Sequence, residues 1–473
     1  MTLTQLESTF PPRGLAAICR LALVPELDQR APLFGQSIRI GGNSGMAHGA
    51  RIGGGAVRIS LASVVLGGAA AMLTFTIATP IASGAPAPGV SKTTIKVGIP
   101  YVDLAAVDKQ FGLHIDQGSY PDAYAALFAN LNAHGGINGR KVVPVMVAVN
   151  PTGTAAAATA CTQLTQDEPV FVALDPLSPE CYLEHGVPTM NSAVTGTLTP
   201  GSAPNFSLTP PSTAYDPIQL AVLAKQGVFK GKKVAIFGEE ADTAEVRVVT
   251  AALAKDHVKV VQTGIDSAPT TDQAASAQEQ QVIAQKFQSA GANEVVAVGT
   301  GSSSWPTYQQ QNQSAYNPPW VATSYADLDG ELTGNTSADP TYLKNVVTTS
   351  PVPSQSATWQ EPIVQQCVRT IKKAYPDDSI ASPLTQSAIT TYTAPINSCI
   401  AYSLFVAIAK AAGKSLTTSS FTKAGYGLRN VTLAGTGAPV SFAANRPYPL
   451  GPVYVGHFDS TTGQITLASK PTS

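Results

Sequence analysis

From Thr93 onward, short apolar runs alternate with amphipathic ones. That alternation restricts the chain to parallel sheets covered by helices on both faces. Residues 95–99 read as a strand. A helix is predicted over 120–133, because Tyr124, Leu127, Phe128 and Leu131 fall at i, i+3, i+4 and i+7 on one face, and Gly135 and Gly136 stop it. Strands at 142–149, 170–174 and 187–190 follow, with a helix at 154–166. The pattern pauses at Thr209, Pro210 and Pro211 and then restarts. Helices are expected near 217–226, 243–256 and 272–290, and strands at 234–237, 258–262, 295–298, 320–323 and 346–349. After Pro351 and Pro353, helices near 362–374 and 396–412 return the chain to its first half.

At 473 residues the chain exceeds one hydrophobic core. The expected fold class is α/β, with two doubly wound parallel-sheet lobes. Residues 93–212 plus 351–440 form lobe I, 213–350 plus 441–473 form lobe II, and 1–92 form a leader. Within the leader, Arg51 and Arg58 precede an apolar run from Ile59 to Ile81, and the small residues Ala82, Ser83, Gly84 and Ala85 come before Pro86 and Pro88. The segment at about 51–87 reads as a secretory signal or, uncleaved, as a membrane anchor. Export to an extracytoplasmic or cell-surface location is the expectation.

Cysteine use agrees. Cys161, Cys181, Cys367 and Cys399 lie beyond the leader and allow three pairings. Short-range pairs, Cys161 with Cys181 and Cys367 with Cys399, are expected in an oxidising compartment; four buried thiols are the other reading. No cysteine follows the apolar run where a lipid anchor would need one.

The 29 Lys and Arg against 30 Asp and Glu leave a net charge of -1, without the basic surplus that nucleic acid or an anionic membrane demands. Gly301-Ser-Ser-Ser-Trp305 lacks the second glycine of a nucleophile elbow, and Gly227-Val-Phe-Lys-Gly-Lys-Lys233 has the wrong spacing for a phosphate loop. The six histidines are scattered, and Cys-x-x-Cys is absent. The expectation is therefore a protein without cofactor or metal that is not an enzyme.

The stretch Asn132-Ala-His-Gly-Gly-Ile-Asn-Gly-Arg-Lys141 resembles the corresponding helix-to-strand turn of type 1 periplasmic solute-binding proteins of the leucine/isoleucine/valine-binding kind. Gly186-Val-Pro188, Gly231-Lys-Lys-Val-Ala-Ile236 and Ala411-Ala-Gly413 match in order, so the resemblance covers about 93–466. It implies two lobes joined by three crossings, a ligand in the cleft between them, closure by hinge motion, and delivery to an ATP-binding cassette permease. Two positions depart from the family pattern. Asn150 stands where Asp is common, and Glu239-Glu-Ala-Asp-Thr243 replaces a usual Tyr-Gly pair. A branched-chain amino acid is therefore not assumed. A ligand-sensing module not coupled to transport is the alternative.

Ligands of open α/β sheets sit beyond the carboxyl ends of the strands. In lobe I the strand-exit loops offer Tyr101, Asp103, Ser178, Ser192, Ala193 and Thr195, whose hydroxyls, with helix-start amides, suit a carboxylate. In lobe II they offer Glu239, Glu240 and Asp242, then Thr300, Ser302, Ser303 and Trp305, then Tyr325 and Asp327; an acid there suits an ammonium group. Tyr392 is a candidate aromatic wall. For each hydroxyl the competing role is a helix cap, for each acid a solvated charge, and for Trp305 and Tyr325 lobe-edge packing.

Overall fold

The computed structural model describes residues 87–472 apart from 113, 152–153, 193–202, 270–271, 312–315, 329–342, 344, 385–389 and 461–463. Apart from Ala87, the predicted signal or anchor segment lies outside the described residues.

In chain order the first half runs β1 (Thr94–Val102), α1 (Leu104–Phe111), α2 (Tyr120–Ala133), β2 (Lys141–Val149), α3 (Thr154–Thr162), β3 (Val172–Leu174), α4 (Pro179–Glu184), β4 (Thr189–Asn191) and β5 (Asn205–Ser207). The second runs α5 (Ser212–Lys225), β6 (Lys233–Glu239), α6 (Thr243–Lys255), β7 (Lys259–Asp266), α7 (Gln273–Ser289), β8 (Glu294–Ala297), α8 (Gly301–Gln311), β9 (Trp320–Ala322) and β10 (Val346–Ser350). Next come α9 (Gln355–Gln360), α10 (Pro362–Ala374), α11 (Thr393–Ala411), α12 (Thr418–Gly427), β11 (Tyr454–Asp459) and β12 (Gln464–Leu467).

Two separate sheets result. The first, in order β2-β1-β3-β4-β5, is parallel throughout. The second, in order β12-β11-β10-β9-β8-β6-β7, is parallel from β10 to β7 and ends in the antiparallel pair β11 and β12. This hairpin edge is absent from the sequence reading, as are β5, α1, α9 and α12. The strands and helices are short, and brief periodic runs carry little signal.

Both faces of each sheet are covered. On one side of the first sheet Ile95, Val97 and Val172 pack with Phe128 of α2, Phe405 of α11 and Phe421 of α12; on the other, Val149 and Ala173 meet Cys161, Leu164 and Tyr182. The second sheet buries Ala235, Phe237 and Trp320 against Phe287 and Trp305 on one side, and Val234, Ile236 and Val296 against Leu220, Val249 and Leu253 on the other. Strands sandwiched in this way read as continuous apolar runs, which is why they were legible without alternation.

The double-glycine turn ties the first sheet to the returning segment. Gly136 has φ +68°, and a Cβ there would lie 2.0 Å from the Arg140 carbonyl oxygen, so only glycine fits. Asn132 clamps both ends of the turn, donating to the Val142 carbonyl at 2.8 Å and accepting from the Val142 amide at 2.7 Å. Asn138 then donates to the Ala409 carbonyl at 3.2 Å, and Arg140 to the Lys414 carbonyl at 2.8 Å, docking the turn on the end of α11.

The chain passes between the sheets three times, at 208–211, 351–354 and 447–452. Proline stands at 210, 211, 351, 353, 447, 449 and 452, so fixed φ values stiffen each passage. The third is anchored on both sides: the Ser207 amide donates to the Pro447 carbonyl at 3.0 Å, and Tyr215 Oη to the Pro452 carbonyl at 3.3 Å. Helix α5 begins at Ser212, five residues before the start predicted at Pro217. Pro217 lies inside it, and its missing N–H frees only the Thr213 carbonyl in the first turn. Disulfides Cys161–Cys181 and Cys367–Cys399 join α3 to α4 and α10 to α11, the short-range pairing that was expected.

Candidate functional site

In the first sheet the carboxyl ends of β1, β3 and β4 open toward one set of loops. Tyr101 is the penultimate residue of β1 and is half-buried. Asp103 caps α1, accepting the Ala106 amide at 3.0 Å. Ser178 occupies the cap position of α4 but makes no cap bond with its side chain. Ala193 and Thr195 lie outside the described residues.

Ser192 belongs to a group that the sequence reading missed. Asp175, the first residue after β3, adopts φ +49° and accepts from the Ser192 amide at 2.6 Å, the Ser192 hydroxyl at 2.8 Å and the Tyr124 hydroxyl at 2.8 Å. Burial pushes its carboxyl above the ordinary value, and the donors from Ser192 and Tyr124 pull it back. The signal for it in the sequence is an acid placed directly after the wholly apolar Val172-Ala-Leu174.

Ser192 also lines a cavity of about 110 Å³, together with Leu208, Val352, Gln355, Tyr392 and Asn397. Two of the three passages between the sheets therefore contribute to its wall, and so do two predicted residues, Ser192 and Tyr392. Tyr392 is buried, and its hydroxyl donates to Gln355 Oε1 at 3.1 Å.

In the second lobe the predicted residues sort by burial. Glu240 is exposed. Asp242 is buried and braces two loops: it accepts from the Glu239 amide at 3.1 Å, the Thr300 hydroxyl at 2.7 Å, and the Thr300 and Gly301 amides at 3.2 Å each. Gly299 at φ +53° permits this approach, since a Cβ there would stand 2.4 Å from Asp242 Oδ1. Ser302 is fully buried, donating to the Ala297 carbonyl at 3.1 Å and accepting the Ser324 amide at 3.3 Å. Ser303 donates to the Thr300 carbonyl at 2.8 Å. Trp305 is fully buried among Phe237, Phe287 and Tyr308, and Tyr325 packs at the margin of that cluster. Asp327 is half-buried, and its amide donates to the Ser324 hydroxyl at 3.2 Å.

A buried polar layer lies beneath these loops. Gln219 donates to Asp216 at 2.5 Å and to the Thr323 carbonyl at 3.2 Å, and Thr323 donates to Glu245 at 3.2 Å. Burial, and then the neighbouring Glu245 carboxyl, hold the Asp216 carboxyl well above the usual carboxylate range. Among the described residues no group of three or more His, Cys, Asp or Glu is placed to hold a metal ion.

The bracing role of Asp242 has a measurable consequence. Asp242→Asn turns one acceptor oxygen into a donor that faces the Thr300 amide or, with the amide flipped, the Gly301 and Glu239 amides, and the expected loss is about 2 kcal/mol of unfolding free energy. Urea unfolding of the variant against the parent checks this; an unchanged midpoint would mean that the loops do not depend on the brace.

Comparison with known proteins places this geometry. The periplasmic binding protein family model matches residues 116–464. No curated protein matches the sequence. Among solved structures, the fold is similar to that of a fatty acid ABC transporter substrate-binding protein from Thermomonospora curvata (TM-score 0.53, 15% identity, 82% of this chain and 94% of that one). It is also similar to a leucine-binding protein from Thermotoga maritima (TM-score 0.53, 14% identity, 80% and 97%) and to an ABC transporter substrate-binding protein from Desulfitobacterium hafniense in complex with Leu (TM-score 0.52, 12% identity, 80% and 99%). At these identities the likeness concerns the fold. The two helix-covered sheets, the three passages between them and the family match over 116–464 together establish that this chain belongs to the periplasmic binding protein family.

Proposed function

We propose that this chain is an exported solute-binding protein that captures a small polar ligand, an amino acid, amide or related molecule, in the cleft between its lobes and hands it to an ATP-binding cassette importer. The observation that carries the reading is the cavity beside Ser192, at the carboxyl end of β4 and walled by two of the segments that join the sheets, where closure would alter its shape most. The lobes are assigned as 93–212 plus 351–446 and 213–350 plus 453–473; lobe I runs past the expected boundary at 440 because Phe442 packs against Phe206 in its core. The ligand wall draws on Tyr101, Ser178, Ser192, Ala193, Thr195 and Tyr392 from lobe I and on Glu240, Tyr325 and Asp327 from lobe II. Asp103, Asp242, Thr300 and Ser302 act behind that wall, because their side chains are engaged in caps and braces.

The similar folds belong to proteins described as handling leucine and fatty acid, so fold alone selects no ligand. A membrane-anchored or secreted sensor would use the same cleft; the apolar run at 59–81 supports it if that run stays attached.

Thermal-shift measurement against amino acids, amides, short peptides and aromatic acids tests the reading. A ligand at a hundred times its Kd adds about 2.7 kcal/mol to the native state. Small-angle scattering with that ligand is expected to show a smaller radius of gyration. A panel with no shift and no contraction would remove the proposal.

A further inference from the structure

The loops beyond the carboxyl ends of the strands share a charge pattern. Segments 103–104, 150–151, 175–178, 208–211, 240–242, 267–269, 298–300, 323–327 and 351–354 contain Asp103, Asp175, Glu240, Asp242 and Asp327, and neither Lys nor Arg. A ligand carboxylate entering such a region meets no cationic side chain in these loops and must rely on backbone amides and neutral hydroxyl or amide donors. The chain's own carboxylates already hold several of these. Asp103 takes the Ala106 amide, Asp175 the Ser192 amide, Asp242 the Thr300 and Gly301 amides, and Asp266 the Ala268 amide at 3.1 Å. Four strand ends are thus occupied by internal anions.

Asp175 differs from the other three in its surroundings. Asp103 faces its own helix, whereas Asp242 and Asp266 are buried within lobe II. Asp175 is half-buried, and Ser192, which donates to it twice, also lines the 110 Å³ cavity. A carboxylate offers about four acceptor directions; the described donors fill three, two on Oδ1 from Ser192 and one on Oδ2 from Tyr124. Among the described residues no donor takes the second direction on Oδ2. The cavity that Ser192 lines, one hydrogen bond away from Asp175, is walled by neutral side chains, among them Leu208, Ile396 and Asn397.

We propose that Asp175 sets the ligand class: it receives a cationic nitrogen, the cavity beside Ser192 takes a short uncharged tail, and ligands bearing a carboxylate at this position are rejected. The proposal rests on the solute-binding reading given above and narrows it to amines without an acidic group. A carboxylate brought to the lobe I wall would meet Asp175 in a partly desolvated setting with no cation to offset it, whereas an ammonium group supplies the missing counter-charge.

Calorimetry on the full chain with four probes tests it: 3-methylbutylamine, 4-aminobutanamide, 4-methylpentanoate and leucine. The first and third are leucine stripped of its carboxylate and of its amine, respectively. The expected result is binding of at least one of the two amines with a Kd roughly ten- to hundred-fold below those of 4-methylpentanoate and leucine, and a similar loss of amine affinity in Asp175→Asn. The ranking of probes is read on the unaltered chain, so it stands even if the variant folds poorly. Tighter binding of 4-methylpentanoate or leucine, failure of both amines while another ligand binds, or an amine Kd unchanged in a folded Asp175→Asn overturns the proposal. Carboxylate ligands that bind and contract the molecule would sink this inference and leave the solute-binding reading intact; only the absence of any ligand defeats both.

Discussion

Trp305→Ala is expected to lower the unfolding free energy by about 3–5 kcal/mol, the cost of truncating a large aromatic in a packed interior. Trp305 is fully buried, with ring centroids 5.0 Å from Tyr308, 5.1 Å from Phe237 and 5.9 Å from Phe287. These partners come from α8, β6 and α7, so the indole ties two covering helices to the sheet, and its removal leaves a void that each of them would have to collapse to fill. Trp305 also sits in the second turn of α8, the helix whose first turn is held to Asp242. Looser seating of α8 is expected to reach Thr300 and Gly301 as well. Trp305→Phe keeps most of the contact and removes an indole N–H that no described acceptor reaches, so it is expected to cost far less than alanine. Denaturant unfolding of both variants measures this. A Trp305→Ala protein of unaltered stability but weakened ligand binding would place the indole in the cleft wall instead of the core.

The second large effect concerns the disulfide between α10 and α11. Replacing Cys367 and Cys399 together by alanine is expected to cost about 3–4 kcal/mol, because the bridge closes a loop of 32 residues and so restricts the unfolded chain. Both cysteines are buried, and Val364, Val368 and Ile396 surround them, so alanine introduces no stranded polar group. Helix α11 carries much of the cavity wall: Tyr392 lies just before it, while Ile396 and Asn397 lie in its first turns. Loss of the bridge is therefore expected to weaken ligand binding in addition to lowering the melting temperature. Thermal unfolding of the double variant, and of the parent with and without reductant, checks the effect. Equal melting temperatures would mean that packing alone holds α10 on α11.

Much of the fold was open to reading from residue order alone. Buried parallel strands must be apolar on both faces, so β1, β6 and β8 stand out as runs such as Val234-Ala-Ile-Phe237 against the more polar helices. The proline clusters at 210–211 and 351–353 marked two of the three passages for the same local reason, a fixed φ and a missing donor. The cysteine pairing was open among three possibilities, and the structure takes the favoured short-range one. What stayed hidden was whatever depends on partners distant in the chain. The hairpin of β11 and β12 gains its order from Val347 and its neighbours on β10, more than a hundred residues earlier.

The site divides along the same line. The sequence by itself determined that polar and acidic residues follow the apolar strands, since a strand end must return the chain to solvent. Only the tertiary structure decided which of them remain available. Asp242 and Ser302 became internal braces because Gly299 and the start of α8 arrive beside them, and Trp305 became core because three aromatic rings converge on it. Asp175 gained its place from Ser192 and Tyr124, 17 and 51 positions away. The composition of a loop is set locally, but the desolvation and hydrogen bonding that make one carboxylate a brace and another a receptor arise from neighbours that the order of residues does not name.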